Sequence, residues 1–141
     1  MADADIAAKL KERLERSAAR GFGKTCGFRL VSFGEGKARV ELDVADGVQN
    51  LNGTLHGGAI ATLIDDAGTV AIMSADREAR PGVSTDLNVS FFAPAPGGST
   101  VYADAAVLRI GKTLAFVTVD VKRKSDDVLV AQGRMTKFQG A

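Results

Sequence analysis

Gly57-Gly58-Ala59-Ile60-Ala61-Thr62-Leu63-Ile64-Asp65-Asp66-Ala67-Gly68-Thr69-Val70-Ala71-Ile72-Met73 is small or apolar along its whole length, apart from two consecutive acids. At a rise of about 1.5 Å per residue, a helix over this stretch is about 24 Å long, enough to cross a small domain. A helix with no polar face belongs in a protein interior. The stretch therefore predicts a buried helix, and the rest of the chain must supply its cover.

That cover reads as strands. Upstream, residues 37 to 44 alternate, with Ala38, Val40, Leu42 and Val44 on one face and Lys37, Arg39, Glu41 and Asp43 on the other. Gly34-Glu35-Gly36 supplies the positive φ angles of a hairpin back to a strand at residues 28 to 33. A polar loop, residues 45 to 55, leads into the helix. Downstream, residues 83 to 93, 100 to 110, 113 to 124 and 128 to 138 alternate as well. Short links at residues 94 to 98, Gly111-Lys112 and Ser125-Asp126-Asp127 make antiparallel neighbours. Six strands and one buried helix suggest an α+β architecture, a curved six-stranded antiparallel sheet wrapped around the helix.

Ile6, Leu10 and Leu14 form a narrow apolar stripe, so residues 4 to 20 read as an amphipathic helix packed on the main body. Gly21 and Gly23 end it. At 141 residues the chain is expected to be one domain, residues 1 to 141, with residues 1 to 23 its N-terminal helix and turn.

Composition narrows the function. With 18 basic and 17 acidic residues the net charge is +1, which gives no electrostatic case for nucleic acid. No run of 18 apolar residues occurs, so no membrane insertion is expected. The start, Met1-Ala2-Asp3-Ala4-Asp5, carries acid where a secretory signal carries base. The one cysteine, Cys26, excludes an intrachain disulfide and suits a reducing cytosol as a buried, inert thiol. Basic residues between positions 9 and 20 leave mitochondrial import open beside a cytoplasmic location. His56 is the only histidine, so no multi-histidine metal site forms and no metal is expected. No phosphate-binding loop or G-x-S-x-G elbow occurs either.

Two features carry chemistry. Asp65 and Asp66 interrupt the apolar helix, and burying an unpaired carboxylate costs several kcal/mol, so such groups are neutralised, paired or kept for function. They lie about 100° apart, and periodicity does not choose between them. Both being merely hydrogen-bonded at a surface or subunit contact is an equal reading. The second feature is His56-Gly57-Gly58 at the helix start, where free N–H groups and the helix dipole suit a developing oxyanion. Glycines there for close packing on the sheet explain the same residues. Gly57 and Asp65 are eight residues apart, about 12 Å along the axis. One helix cannot bring both within about 3 Å of one carbonyl. Two copies running antiparallel across a two-fold axis can, so catalysis by these residues requires a dimer with two equivalent sites.

Asn50-Leu51-Asn52-Gly53-Thr54-Leu55-His56-Gly57-Gly58 followed by Leu63-Ile64-Asp65 resembles the signature of the hotdog thioesterase superfamily, PaaI-like branch. The likeness continues through Pro81-Gly82-Val83-Ser84, residues 109 to 116, and Ala131-Gln132-Gly133-Arg134. It implies a hotdog fold, a homodimer or a homotetramer built as a dimer of dimers, and hydrolysis of fatty or aryl acyl-CoA to acid and CoA. No cofactor is implied, CoA being part of the substrate. The resemblance selects Asp65 over Asp66 as general base or nucleophile and gives the Gly57 N–H to the thioester carbonyl. Asn50 and His56 shape the catalytic loop, and Ser84 positions the water. A second charge at Asp66 is expected to raise the proton affinity of Asp65 where the two carboxylates are close.

By the same resemblance, residues 91 to 96 and 109 to 114 border the CoA channel. This places Phe91, Phe92, Pro94, Arg109, Gly111, Lys112, Thr113, Leu114 and Ser84 against substrate, with Arg109 and Lys112 toward the CoA phosphates. Alternation puts Ser84, Asp86, Asn88 and Ser90 on one polar strand face. Two other functions fit the same fold. A hotdog enoyl-CoA hydratase or dehydratase would pair His56 with Asp65, but the proline-rich histidine loop of those enzymes is missing. A non-catalytic acyl-CoA-binding protein has no need of a buried carboxylate.

Overall fold

The computed structural model describes residues 3–140; Met1 and Ala2, part of the acidic start noted above, and Ala141 lie outside the described residues. Helices α1 (Asp3–Ala18) and α2 (Gly21–Cys26) precede the hairpin β1 (Arg29–Gly34) and β2 (Lys37–Asp43). A 3-10 turn at Asp46–Val48 leads to α3 (Gly57–Ala75), followed by β3 (Val83–Phe91), β4 (Thr100–Ile110), β5 (Leu114–Arg123) and β6 (Leu129–Phe138). All six strands form one antiparallel sheet in the order β1-β2-β4-β5-β6-β3.

The order follows from the connections. Hairpins join β1 to β2, β4 to β5 and β5 to β6, while α3 carries the chain from the second strand to the far edge. At the β1–β2 turn, Glu35 (φ 52°) and Gly36 (φ 78°) both take positive φ, as a two-residue primed turn requires. The inward faces of β2, β4, β5 and β6 bury Val40, Leu42, Val101, Ala103, Val117, Val119, Val121 and Met135 against α3. Fully burying an aliphatic side chain of this size contributes roughly 1.5–3 kcal/mol, so this layer dominates the stability.

Three expectations need correction. The first glycines do not end helical structure. The chain turns at Gly21 (φ 63°) into α2, which includes Gly23. A Cβ on Gly23 would collide with the Ser17 carbonyl, so glycine there permits the close approach of α2 to α1. Nor is α3 covered all round. Leu63, Ile64 and Ala67 to Met73 are buried, but Gly57, Gly58, Ala61, Thr62 and Asp65 form a stripe that the sheet and α1 leave partly uncovered, and Asp66, on the α1 side, is also only partly buried. Its length and hydropathy also fit a membrane span, yet 61% of that window is inside the protein.

The third correction concerns β3. Its register with β6 slips between Ser84 and Asp86, leaving Thr85 as a bulge. Directly opposed residues share a face, so Ser84, opposite buried Lys137, points inward, while Asp86, Asn88 and Ser90, opposite Thr136, Arg134 and Gln132, point outward. The single polar face read from alternation does not exist, since an extra residue in a strand inverts every position beyond it. The strand also ends at Phe91 rather than residue 93.

Candidate active site

The start of α3 is built by its loop. The Asn50 side chain accepts the Asn52 N–H at 3.0 Å and the Thr54 N–H at 3.1 Å, and it donates to Thr54 Oγ1 at 2.9 Å. The main chain of His56 donates to Val48 O, and that of Leu55 to Ala95 O, anchoring the loop on both sides. His56 Nδ1 then accepts the Gly58 N–H at 2.8 Å, an imidazole N-cap that leaves the ring proton on Nε2. The cap uses Gly58 and leaves Gly57: among the described residues no acceptor takes the Gly57 N–H. The Phe91 ring lies alongside, 3.5 Å from where a Gly57 Cβ would be.

Two turns along the helix, Asp65 Oδ1 accepts a hydrogen bond from Ser84 Oγ at 2.7 Å. The bulge at Thr85 permits this contact, because it puts Ser84 inward and Asp86 outward where an unbroken pleat would put both on one face. β3 thus runs back along α3, with Ser84 at Asp65 and Phe91 at Gly57.

Asp66 faces elsewhere. Burial pushes its carboxyl above the usual carboxylate range; Arg13 on α1 and Lys137 pull it down, and Asp65 pushes it up. Of the two acids, only Asp65 meets Ser84, and it lies along the uncovered stripe with Gly57.

One polar residue here is absent from the sequence reading. Lys137 is 4% exposed, and its ammonium donates to Thr69 Oγ1 at 2.7 Å. Burial pushes its pKa down, Asp65 and Asp66 pull it up, and Arg13 pushes it down. The signal was present: Ala131, Gly133, Met135 and Lys137 are alternate residues of β6, all on the buried face.

The expected substrate-binding residues fall into two groups at opposite ends of β3. Phe91 (56% exposed), Phe92 (57%) and Pro94 lie beside Ala131 and Val130, at the helix-start end. Arg109, Gly111, Lys112, Thr113 and Leu114 form the β4–β5 turn, joined through Phe138 to Val83 at the Ser84 end. Like Gly57 and Asp65, these groups do not meet within one protomer. Every residue of β3 except Val89 is exposed, and its outer edge has no strand partner among the described residues.

Comparison with known proteins extends these observations. A family model described as the thioesterase superfamily matches residues 52–138. Human acyl-coenzyme A thioesterase 13 is 45% identical over 123 residues, spanning 86% of this chain and 87% of its own. The crystal structure of zebrafish thioesterase superfamily member 2 superposes with a TM-score of 0.86 at 40% identity, covering 92% of this chain and 95% of that one. The E. coli PaaI protein shares the fold, with a TM-score of 0.84 at 22% identity over 99% of this chain and 97% of its own.

Proposed function

The chain belongs to the thioesterase superfamily, and on that premise we propose that it hydrolyses acyl-CoA thioesters to free acid and CoA at a site shared between two copies. The observation that carries this reading is the Asp65–Ser84 contact, which holds a carboxylate on the partly uncovered stripe of an otherwise apolar helix, at a sheet edge with no strand partner among the described residues. In the reaction the thioester carbonyl sits on the free Gly57 N–H, where the helix dipole favours the charge that develops on oxygen. Asp65 takes the proton of an attacking water, or attacks the carbonyl carbon itself to give an anhydride that water opens. Either way the C–S bond breaks, one water is consumed, and CoA leaves as the thiol. Ser84 orients the carboxylate, while Asn50 and His56 hold the loop that presents Gly57.

Edge pairing supports the two-chain site. An exposed strand edge is a template for another strand, and antiparallel pairing of two β3 strands about a two-fold axis sets the Phe91 end of one against the Ser84 end of the other. Gly57 of one copy then approaches Asp65 of its partner, and the 91 to 94 segment approaches the partner's β4–β5 turn, where Arg109 and Lys112 suit the CoA phosphates. We propose this homodimer, doubled into a dimer of dimers as the family resemblance implies.

The test is loss of thioester absorbance with short, medium, long and aryl acyl-CoAs, using wild-type and Asp65→Asn protein. Hydrolysis abolished by the substitution is the expected result. A wild-type protein inert toward every acyl-CoA overturns the reading.

A further inference from the structure

We propose that Lys137 is a positioning residue for the Asp65 carboxylate, its buried ammonium balancing the paired charge of Asp65 and Asp66 from beneath the site. This rests on the role given to Asp65 above and adds a residue to it.

Lys137 occupies a row that otherwise wants no charge. Its neighbours on the inward face of β6 are Ala131, Gly133 and Met135, all buried. An ammonium costs several kcal/mol to bury unless something nearby needs it. Among the described residues its hydrogen-bond acceptor is the Thr69 hydroxyl at 2.7 Å, and that hydroxyl donates to the Asp65 main-chain carbonyl at 2.8 Å. The proton directions are consistent along this chain, from Nζ–H to Oγ1 and from Oγ1–H to the carbonyl. Cross-strand register fixes the other side. Lys137 lies directly opposite Ser84, whose hydroxyl donates to the Asp65 side chain. Asp65 is thus held by its side chain from β3, and its main-chain carbonyl accepts from Thr69 of the same helix, which in turn accepts from Lys137 on β6.

The charged groups around Lys137 are few. Asp65 and Asp66 act on it from α3 and Arg13 from α1. Its cross-strand neighbours, Ser84 and Ala115, are uncharged. Two carboxylates therefore face two cations. Removing Lys137 leaves Arg13 alone against both acids, and adjacent like charges in a partly buried site favour uptake of a proton. Lys137→Gln removes the charge but retains a donor for Thr69; Lys137→Arg retains the charge.

The experiment follows the Asp65 carboxyl by carbon NMR through a pH titration, assigned by its loss in Asp65→Asn, together with the pH profile of kcat/KM. Lys137→Gln is expected to raise the Asp65 midpoint by about one unit or more, moving the acid limb of the profile equally while activity recovers at higher pH. Lys137→Arg is expected to keep the wild-type midpoint. An unchanged midpoint in Lys137→Gln, or an activity loss equal at every pH, overturns the proposal. Should Lys137→Gln fail to fold, Lys137→Gln with Asp66→Asn, which removes the competing charge, carries the same measurement against Asp66→Asn alone. The NMR titration needs no substrate, so failure of this proposal is distinct from failure to hydrolyse acyl-CoA.

Discussion

The Ser84 hydroxyl and the Asp65 carboxylate, 2.7 Å apart, join the outermost strand of the sheet to the middle of its central helix. The contact crosses the point where the partly uncovered stripe of α3 meets the β3 edge, so it fixes the carboxylate where a second copy would arrive. Asp65→Asn is expected to lower turnover by about 10²–10⁴-fold with unchanged circular dichroism. Ser84→Ala, which removes one hydrogen bond to a charged group, is expected to cost about tenfold. Turnover close to wild type in Asp65→Asn, with Asp66→Asn inactive, would reassign the carboxylate.

Gly57 offers a cleaner test of its N–H. Proline is tolerated at the first position of a helix, and the residue before it must be extended; His56, at φ −62° and ψ 135°, already is. Gly57→Pro should keep the helix, delete the donor and lower kcat by about 10²–10³-fold. Mixing this variant with Asp65→Asn should restore activity, because a mixed dimer contains one site with both Gly57 and Asp65 intact. Sites confined to single chains would give no recovery.

The Asp66 proton affinity has a consequence for stability. Burial holds its folded value above the ordinary 3.8 of the unfolded chain. Between those values the folded state binds the extra proton, so wild type loses stability as pH rises through that window. Asp66→Asn should melt a few degrees higher than wild type at neutral pH, and the gap should close at and below about pH 3.8. Calorimetry across that range checks the sign; a variant that melts lower at neutral pH contradicts it.

Cys26 should be chemically silent. It is 4% exposed, and burial, with Asp66 second, pushes its thiol up to about 11. Only about one molecule in a thousand carries the thiolate at pH 8. An aromatic disulfide reagent should react slowly with the native protein and rapidly after denaturation. Fast native labelling would show that the thiol reaches solvent.

Gly133 marks a close approach of α3 to β6. A Cβ there would sit 2.9 Å from Ile64 Cγ2 and 3.3 Å from the Asn88 carbonyl. Gly133→Ala should therefore destabilise the fold by about 1–3 kcal/mol through overpacking, read from urea midpoints. A neutral result would show that the sheet can retreat from the helix.

The architecture was legible wherever a periodic pattern ran without a defect. The apolar stretch from Gly57 announced α3, and β4 was bounded correctly because clear turns flank it, although its register with β5 slips between Val107 and Arg109. What stayed hidden came from single-residue departures. Alternation assumes an unbroken pleat, so the bulge at Thr85 put Ser84 with the wrong neighbours. The glycines after Ala18 looked like a stop because their use, letting α2 lie against Ser17, is tertiary. The two acids of α3 could not be told apart by angle alone. The Ser84 contact and the Arg13 side of Asp66 come from elements distant in sequence. Lys137 was readable by parity and went unread because a lysine in a strand is usually taken to face water.

The Thr85 bulge makes the length of β3 a chemical variable. Draw Thr85 into the ladder and the strand could still pair, still form an edge and still bury its share of the core, yet Ser84 would slip from Lys137 to face Phe138 and turn away from Asp65, whereas deleting Thr85 would leave Ser84 opposite Lys137. The site therefore constrains how many residues of this strand are paired, and not only which residues they are. In any chimera stitched from related chains, the junction belongs either before Val83 or after Asp86, never between.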